Sequence, residues 1–128
     1  MSASGPSPRI LIVDDSPDLL QNMIWSLKRA RYSIDTAENG KLALQKIREG
    51  ERPALVLLDL MMPVMSGWDF LEVRKQDPTL SQIPVIILSA SVYRETPLTK
   101  GLPYLEKPFT LDELDTKVAE VLVASRLR

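Results

Sequence analysis

The chain has 128 residues, 16 of them basic and 17 acidic, with no cysteine and no histidine. That length fits one domain with its own core. The missing cysteine and histidine exclude disulfides, thiolate chemistry, Ser-His-Asp catalysis and the usual zinc ligands, and favour a cytoplasmic setting. A net charge of −1 with evenly mixed signs, and no apolar run near the roughly 18 residues of a membrane span, argue against nucleic-acid and membrane partners.

Residues 1–8, MSASGPSP, have neither the basic nor the apolar part of a signal peptide and read as a disordered arm. Residues 9–15, RILIVDD, form an apolar run ending in two acids, which suits a strand buried on both faces. Ser16 and Pro17 then predict a helix start, with Ser16 as N-cap and Pro17 in the first turn. Leu19, Leu20, Met23, Ile24 and Leu27 give that helix one apolar face. A second strand is predicted over 33–37, a turn at Asn39-Gly40, and a second helix carrying Leu42, Ala43, Leu44 and Ile47 and stopped by Gly50.

Residues 54–59, ALVLLD, are a third buried-strand run, again ending in an acid. Pro63 and Gly67 mark the loop after it, Gly67 allowing a tight backbone turn, and 68–76 reads as a third helix. Residues 83–89 form a fourth strand ending in a hydroxyl. Pro97, Gly101 and Pro103 break up 93–103, so any helix there is short. A brief fifth strand over 104–106 ends at Lys107-Pro108. Thr110 caps a last helix whose apolar face is Leu111, Leu114, Val118, Val121 and Leu122. Trp25 and Trp68 read as core or groove residues.

Strands alternating with helices five times predict an α/β fold, an open parallel sheet covered on both faces. Parallel strands present their carboxyl ends along one edge, where ligands of such sheets sit. That edge would collect Asp14 and Asp15, Asp59, Ser89 and Lys107. Three carboxylates this close repel: two charges 4 Å apart at an effective dielectric of about 20 cost roughly 4 kcal/mol. Lys107 supplies one positive charge. A hard divalent cation with oxygen ligands supplies more, so Mg²⁺ is expected, with Mn²⁺ as an alternative. A carboxylate there can attack phosphorus, and phosphoryl transfer needs positioning and charge neutralisation more than acid or base. On this reading Asp59 attacks. Asp14 and Asp15 hold the metal together with Asp59 and the Met61 backbone carbonyl. Lys107 and the Ser89 hydroxyl contact phosphoryl oxygens.

The segments ILIVDD, ENG, LVLLDLMMPVMSGWDFL, VIILSA and YLEKPF occur in order over residues 9–109. Together they resemble the response-regulator receiver domain of two-component signalling. The resemblance implies a flavodoxin-like (βα)5 doubly wound sheet with strand order 2-1-3-4-5. It places the receiver at 9–125, with 126–128 as the C-terminal end. It also implies a phosphohistidine donor on a histidine kinase or histidine phosphotransfer protein, and a downstream protein target. A switch is implied in which Ser89 moves toward the phosphoryl group and Tyr104 turns inward. A cis Lys107-Pro108 bond is implied too, as is a water path flanked by Met61 and Ser91. The chain departs from the family in one place. Residues 90–106, between Ser89 and Lys107, are fewer than is usual, so the fourth helix is expected to be shortened and the surface it would form is in doubt.

Two other classes were weighed. A dinucleotide enzyme needs a glycine-rich turn after the first strand, where this chain has Asp15-Ser16-Pro17. A phosphatase with an aspartate nucleophile would place a second acid two residues on, where Met61 stands. The expectation is therefore a regulatory domain rather than an enzyme. The alternatives within that class are a pseudo-receiver that only binds proteins and a receiver fragment of a hybrid histidine kinase.

Overall fold

The computed structural model describes residues 7–50, 52–62, 64–90 and 95–126. The described elements run β1 (Arg9–Val13), α1 (Pro17–Arg29), β2 (Ser33–Ala37), α2 (Gly40–Glu49), β3 (Leu55–Asp59), α3 (Gly67–Gln76), α4 (Pro78–Ser81), β4 (Val85–Ser89), β5 (Tyr104–Glu106) and α5 (Leu111–Arg126). The sheet has order β2-β1-β3-β4-β5, and every pairing is parallel. This is the flavodoxin-like doubly wound α/β topology.

Strand alternation explains why the apolar runs are continuous. Leu11, Val13, Val56, Leu58, Val85 and Ile87 face one way, packing with Ala43, Leu44 and Ile47 of α2 and Phe70 and Leu71 of α3. Their neighbours Ile10, Ile12, Leu55, Leu57, Ile86 and Leu88 face the other way, onto Met23 and Leu27 of α1 and Leu114, Val118 and Leu122 of α5. With a core on each face, the inner positions of β1, β3 and β4 are apolar until the carboxyl end is reached, while the edge strands β2 and β5 carry Asp35, Thr36 and Glu106.

Helix ends follow local chemistry. Asn39 is the N-cap of α2, its side chain accepting from Leu42 N at 2.9 Å, so the helix begins at Gly40 where the sequence suggested a separate turn. Ser66 and Asp69 form a capping box, which starts α3 at Gly67. Thr110 caps α5 as expected: Glu113 N donates to its hydroxyl and Thr110 N donates to the Glu113 carboxylate. Ser16 occupies the N-cap of α1 but its side chain makes no capping bond.

Three features differ from expectation. The single turn α4 was not anticipated; Asp77 caps it and Pro78 opens it. In the last crossover, residues 95–103 form turns tied by Thr99 N to Thr96 O and Leu102 N to Thr99 O, with no helix among the described residues, while 91–94 lie outside them. Trp25 is a correction: it is 58% exposed on α1 with the Arg29 guanidinium 5.3 Å from its ring centroid, whereas Trp68 is half-buried against the core. Trp25 lies on the polar side of an amphipathic helix whose buried positions are Met23, Ser26 and Leu27. Residues 1–6 of the expected arm, and Ser91, lie outside the described residues. No described helix is long and apolar enough to cross a membrane.

Candidate functional site

The strand order reverses at β1, which has β2 on one side and β3 on the other. Val13 is in register with both Ala37 and Leu58. The next residues of the two central strands, Asp14 and Asp59, therefore open onto the crevice where ligands of such sheets bind. Asp59 is the last residue of β3 and Ser89 the last of β4. Lys107 follows β5, its N–H donating to Ser89 O at 2.6 Å and extending the ladder by one step. The Lys107-Pro108 bond is cis.

Side chains converge there. Carboxylate oxygens of Asp14, Asp15 and Asp59 all lie within 4.8 Å of one another. Asp14 is fully buried, Asp59 nearly so, and Asp15 is exposed. Lys107 Nζ donates to Asp14 Oδ2 at 2.9 Å and lies 3.6 Å from Asp59 Oδ2. Asp14 Oδ1 accepts the Ser16 N–H at 2.8 Å, so the same carboxylate anchors the start of α1. Asp59 Oδ1 accepts the Met61 N–H at 3.2 Å. Burial raises the Asp59 carboxyl above the ordinary value. The Met61 N–H opposes that rise, Asp14 and Asp15 add to it, and Lys107 counters them.

The donor set suits a hard cation. It consists of oxygens, carries a surplus of negative charge over the one ammonium, and offers both a buried and an exposed carboxylate. The buried Ser89 Oγ has no hydrogen-bond partner among the described residues, so on this edge it is a free donor to an oxygen-bearing group.

Each site residue singled out in the sequence has a definite place, apart from Ser91, which lies outside the described residues. Asp14, Asp15, Asp59 and Lys107 are together, and Ser89 is on the same edge. Met61 contributes its N–H to Asp59, and its side chain is 74% exposed. Tyr104 starts β5 and is 44% exposed. Gly67 serves differently from the expected turn. A Cβ there would stand 2.3 Å from Asp59 O and 2.7 Å from Leu60 Cα, so close approach to the end of β3, rather than an unusual dihedral, demands glycine. Sequence reasoning missed the Met61 N–H and the Ser16 N–H, because backbone donors leave no mark in residue type.

The family model described as "Response regulator receiver domain" matches residues 10–119. The chain is 36% identical over 117 residues to Histidine kinase P4 of Formosa agariphila, covering 88% of this chain and 8% of that one. It is 35% identical over 127 residues to the transcriptional regulatory protein PrrA of Mycobacterium tuberculosis, covering 95% and 53%. It thus spans about half, or far less, of the curated relatives it matches. The solved signal receiver domain of a signal transduction histidine kinase from Syntrophus aciditrophicus superposes with a TM-score of 0.80 at 29% identity, covering 92% of each chain.

Proposed function

We infer the function from one premise: the chain belongs to the response regulator receiver domain family of two-component signalling. On our reading it is a regulatory phospho-acceptor. Asp59 takes a phosphoryl group from a phosphohistidine and the modified domain acts on a partner protein. The observation that carries this is the convergence of Asp59 with Asp14, Asp15 and Lys107 at the β1/β3 crevice.

In the proposed step an Asp59 carboxylate oxygen attacks phosphorus. The P–N bond breaks, and its electron pair stays on the donor imidazole, which takes up a proton. The donor lies outside these 128 residues, on a histidine kinase or histidine phosphotransfer protein, since they hold no histidine. Asp14, Asp15, Asp59 and the Met61 carbonyl would hold Mg²⁺, which when bound neutralises charge on the carboxylates and phosphoryl oxygens. Lys107 Nζ is placed to contact a phosphoryl oxygen. The partnerless Ser89 Oγ supplies a second donor, and its movement, with Tyr104 turning inward, would carry the switch. No acid stands two residues after Asp59, which supports self-limited phosphorylation rather than turnover of an outside substrate. The absence of cysteine supports a cytoplasmic setting.

The test is incubation with Mg²⁺ and a small acyl phosphate, followed by intact-mass measurement. One added phosphoryl group is expected on the native chain and none on Asp59→Ala. No mass increase with any small donor or with purified phosphohistidine protein would leave the domain as a protein-binding pseudo-receiver.

A further inference from the structure

The loop between Asp59 and α3 is tied at two places. At its base Gly67 N donates to Leu60 O at 3.1 Å, with Gly67 lying flat against the Asp59 backbone. At its outer end Met65 O accepts the N–H of Gly40 at 2.8 Å. Gly40 is the first residue of α2, so this N–H belongs to the first turn, whose donors have no partner within the helix. Between the two ties, Val64 holds φ at 68°, a left-handed value that disfavours a β-branched residue, with its side chain 82% exposed. The described residues of this loop, 60–62 and 64–66, thus form an arch whose far end α2 grips.

Helix propensity does not explain glycine at position 40. Alanine is the better residue within a helix, and the φ of Gly40 is not in the left-handed region. Space does explain it. A Cβ on Gly40 would lie 3.1 Å from Met65 Cγ, 3.1 Å from Met65 O and 3.1 Å from Ser66 O. Two of these three atoms are backbone and cannot rotate away, so the arch itself would have to shift by a few tenths of an ångström. The same arch carries the Met61 N–H that orients the Asp59 carboxylate.

We propose that Gly40 is a positioning residue for the phospho-acceptor: by admitting Met65 to the N-terminus of α2, it sets the arch that aims Met61 at Asp59. The proposal rests on the reading of Asp59 as acceptor and adds to it a residue distant in sequence and outside the carboxylate cluster. A shift of about 1 Å at a reacting group can cost 10²-fold, so a few tenths should cost about fivefold in Mg²⁺ affinity and in phosphorylation rate.

The experiment compares the native chain with Gly40→Ala, Lys41→Ala, Ala43→Gly and Gly40→Ala/Met65→Ala. Lys41 is exposed and neighbours Gly40. Ala43 is buried in α2, and its replacement loosens the helix without altering the Gly40 N–H or the space beside it. The readouts are Mg²⁺ affinity of the unphosphorylated protein by calorimetry, the backbone amide shift of Met61 by NMR, the phosphorylation rate with acetyl phosphate, and stability in urea. Gly40→Ala should fold, shift the Met61 amide, and lose about fivefold in Mg²⁺ affinity and rate. Removing Met65 Cγ should recover part of that loss, and Lys41→Ala should match the native chain. The proposal is overturned if Gly40→Ala keeps native affinity and an unmoved Met61 amide. It is equally overturned if Ala43→Gly reproduces both changes, or if Gly40→Ala does not fold, because the glycine would then serve the fold alone. A native chain that accepts no phosphoryl group sinks the acceptor reading instead, while the Met61 and Mg²⁺ measurements still decide on Gly40.

Discussion

Lys107 and Asp14 form a 2.9 Å ion pair in which the carboxylate is wholly shielded from solvent and the ammonium only partly so. Asp14 therefore depends on Lys107 and the Ser16 N–H for its charge to remain inside the protein. Lys107→Met leaves that charge uncompensated, and without divalent metal it should lower unfolding stability by about 3 kcal/mol. Because a cation held by Asp14 would replace the missing charge, saturating Mg²⁺ should narrow the gap. Urea titrations with EDTA and with Mg²⁺ check both statements, and a gap unchanged by Mg²⁺ would speak against Asp14 as a ligand.

Asp59 gives a pH dependence of opposite sign from an ordinary paired acid. Burial above all raises its folded carboxyl above the unfolded value of about 3.9. Between those two values the folded state binds more protons than the unfolded state, so stability falls as pH rises through that window. In EDTA, Asp59→Asn should be more stable than the native chain at pH 7.5, by on the order of 1–3 kcal/mol. The difference should fade on acidification toward the unfolded value. Equal stabilities at pH 7.5 would contradict it.

Ser89→Ala separates stability from chemistry. The Ser89 hydroxyl is buried with no partner among the described residues, so its removal deletes an unsatisfied group and costs the unmodified protein nothing, with a gain of up to about 1 kcal/mol. On the proposed reading the same change removes a donor to the phosphoryl group and should slow phosphorylation by roughly tenfold or more. Chemical denaturation and the rate of acyl-phosphate labelling measure the two effects. A large loss of stability would mean that Ser89 has a structural partner.

Asp35 tests the conventional sign at the other end of the sheet. Burial raises its carboxyl. The Lys46 hydrogen bond, the Thr36 N–H and the charges of Lys46 and Arg9 outweigh that and hold it below the ordinary value. Its contribution is present above the unfolded value of about 3.9 and is lost as pH falls through the depressed folded one. Asp35→Asn should cost no more than about 1 kcal/mol at pH 7, because the group is partly exposed, and less in high salt. Stability curves at pH 7 and pH 2.5 should converge at the acid end.

Much of the fold was legible because its signals are local or periodic. The runs at 9–15, 54–59 and 83–89 could be read as doubly buried strands, since each must satisfy a core on both faces. Pro17, Gly50 and Thr110 marked helix ends through their own backbone or capping chemistry. Less legible were elements whose reason lies in a partner. Asn39 looked like a turn residue until its side chain was seen to cap Leu42, and α4 rests on Asp77 and Pro78 at the end of another helix. Trp25 was misplaced because hydrophobicity favours burial on average, while its position on the polar face of α1 puts it outside.

The sequence by itself singled out the residues of the proposed chemistry: Asp14, Asp15, Asp59, Ser89 and Lys107 each stand at or just after the carboxyl end of a strand, and parallel strands share one edge. Only the tertiary structure decided how they meet. It joined Lys107 to Asp14, aimed the Met61 N–H at Asp59, and left Ser89 without a partner among the described residues. It also tied the loop after Asp59 to Gly40 through the Met65 carbonyl, at a residue that reads in the sequence as half of an ordinary turn. The division has a physical cause. Residue type is written in the sequence, but backbone donors and the space a missing Cβ leaves acquire meaning only when distant segments are packed together.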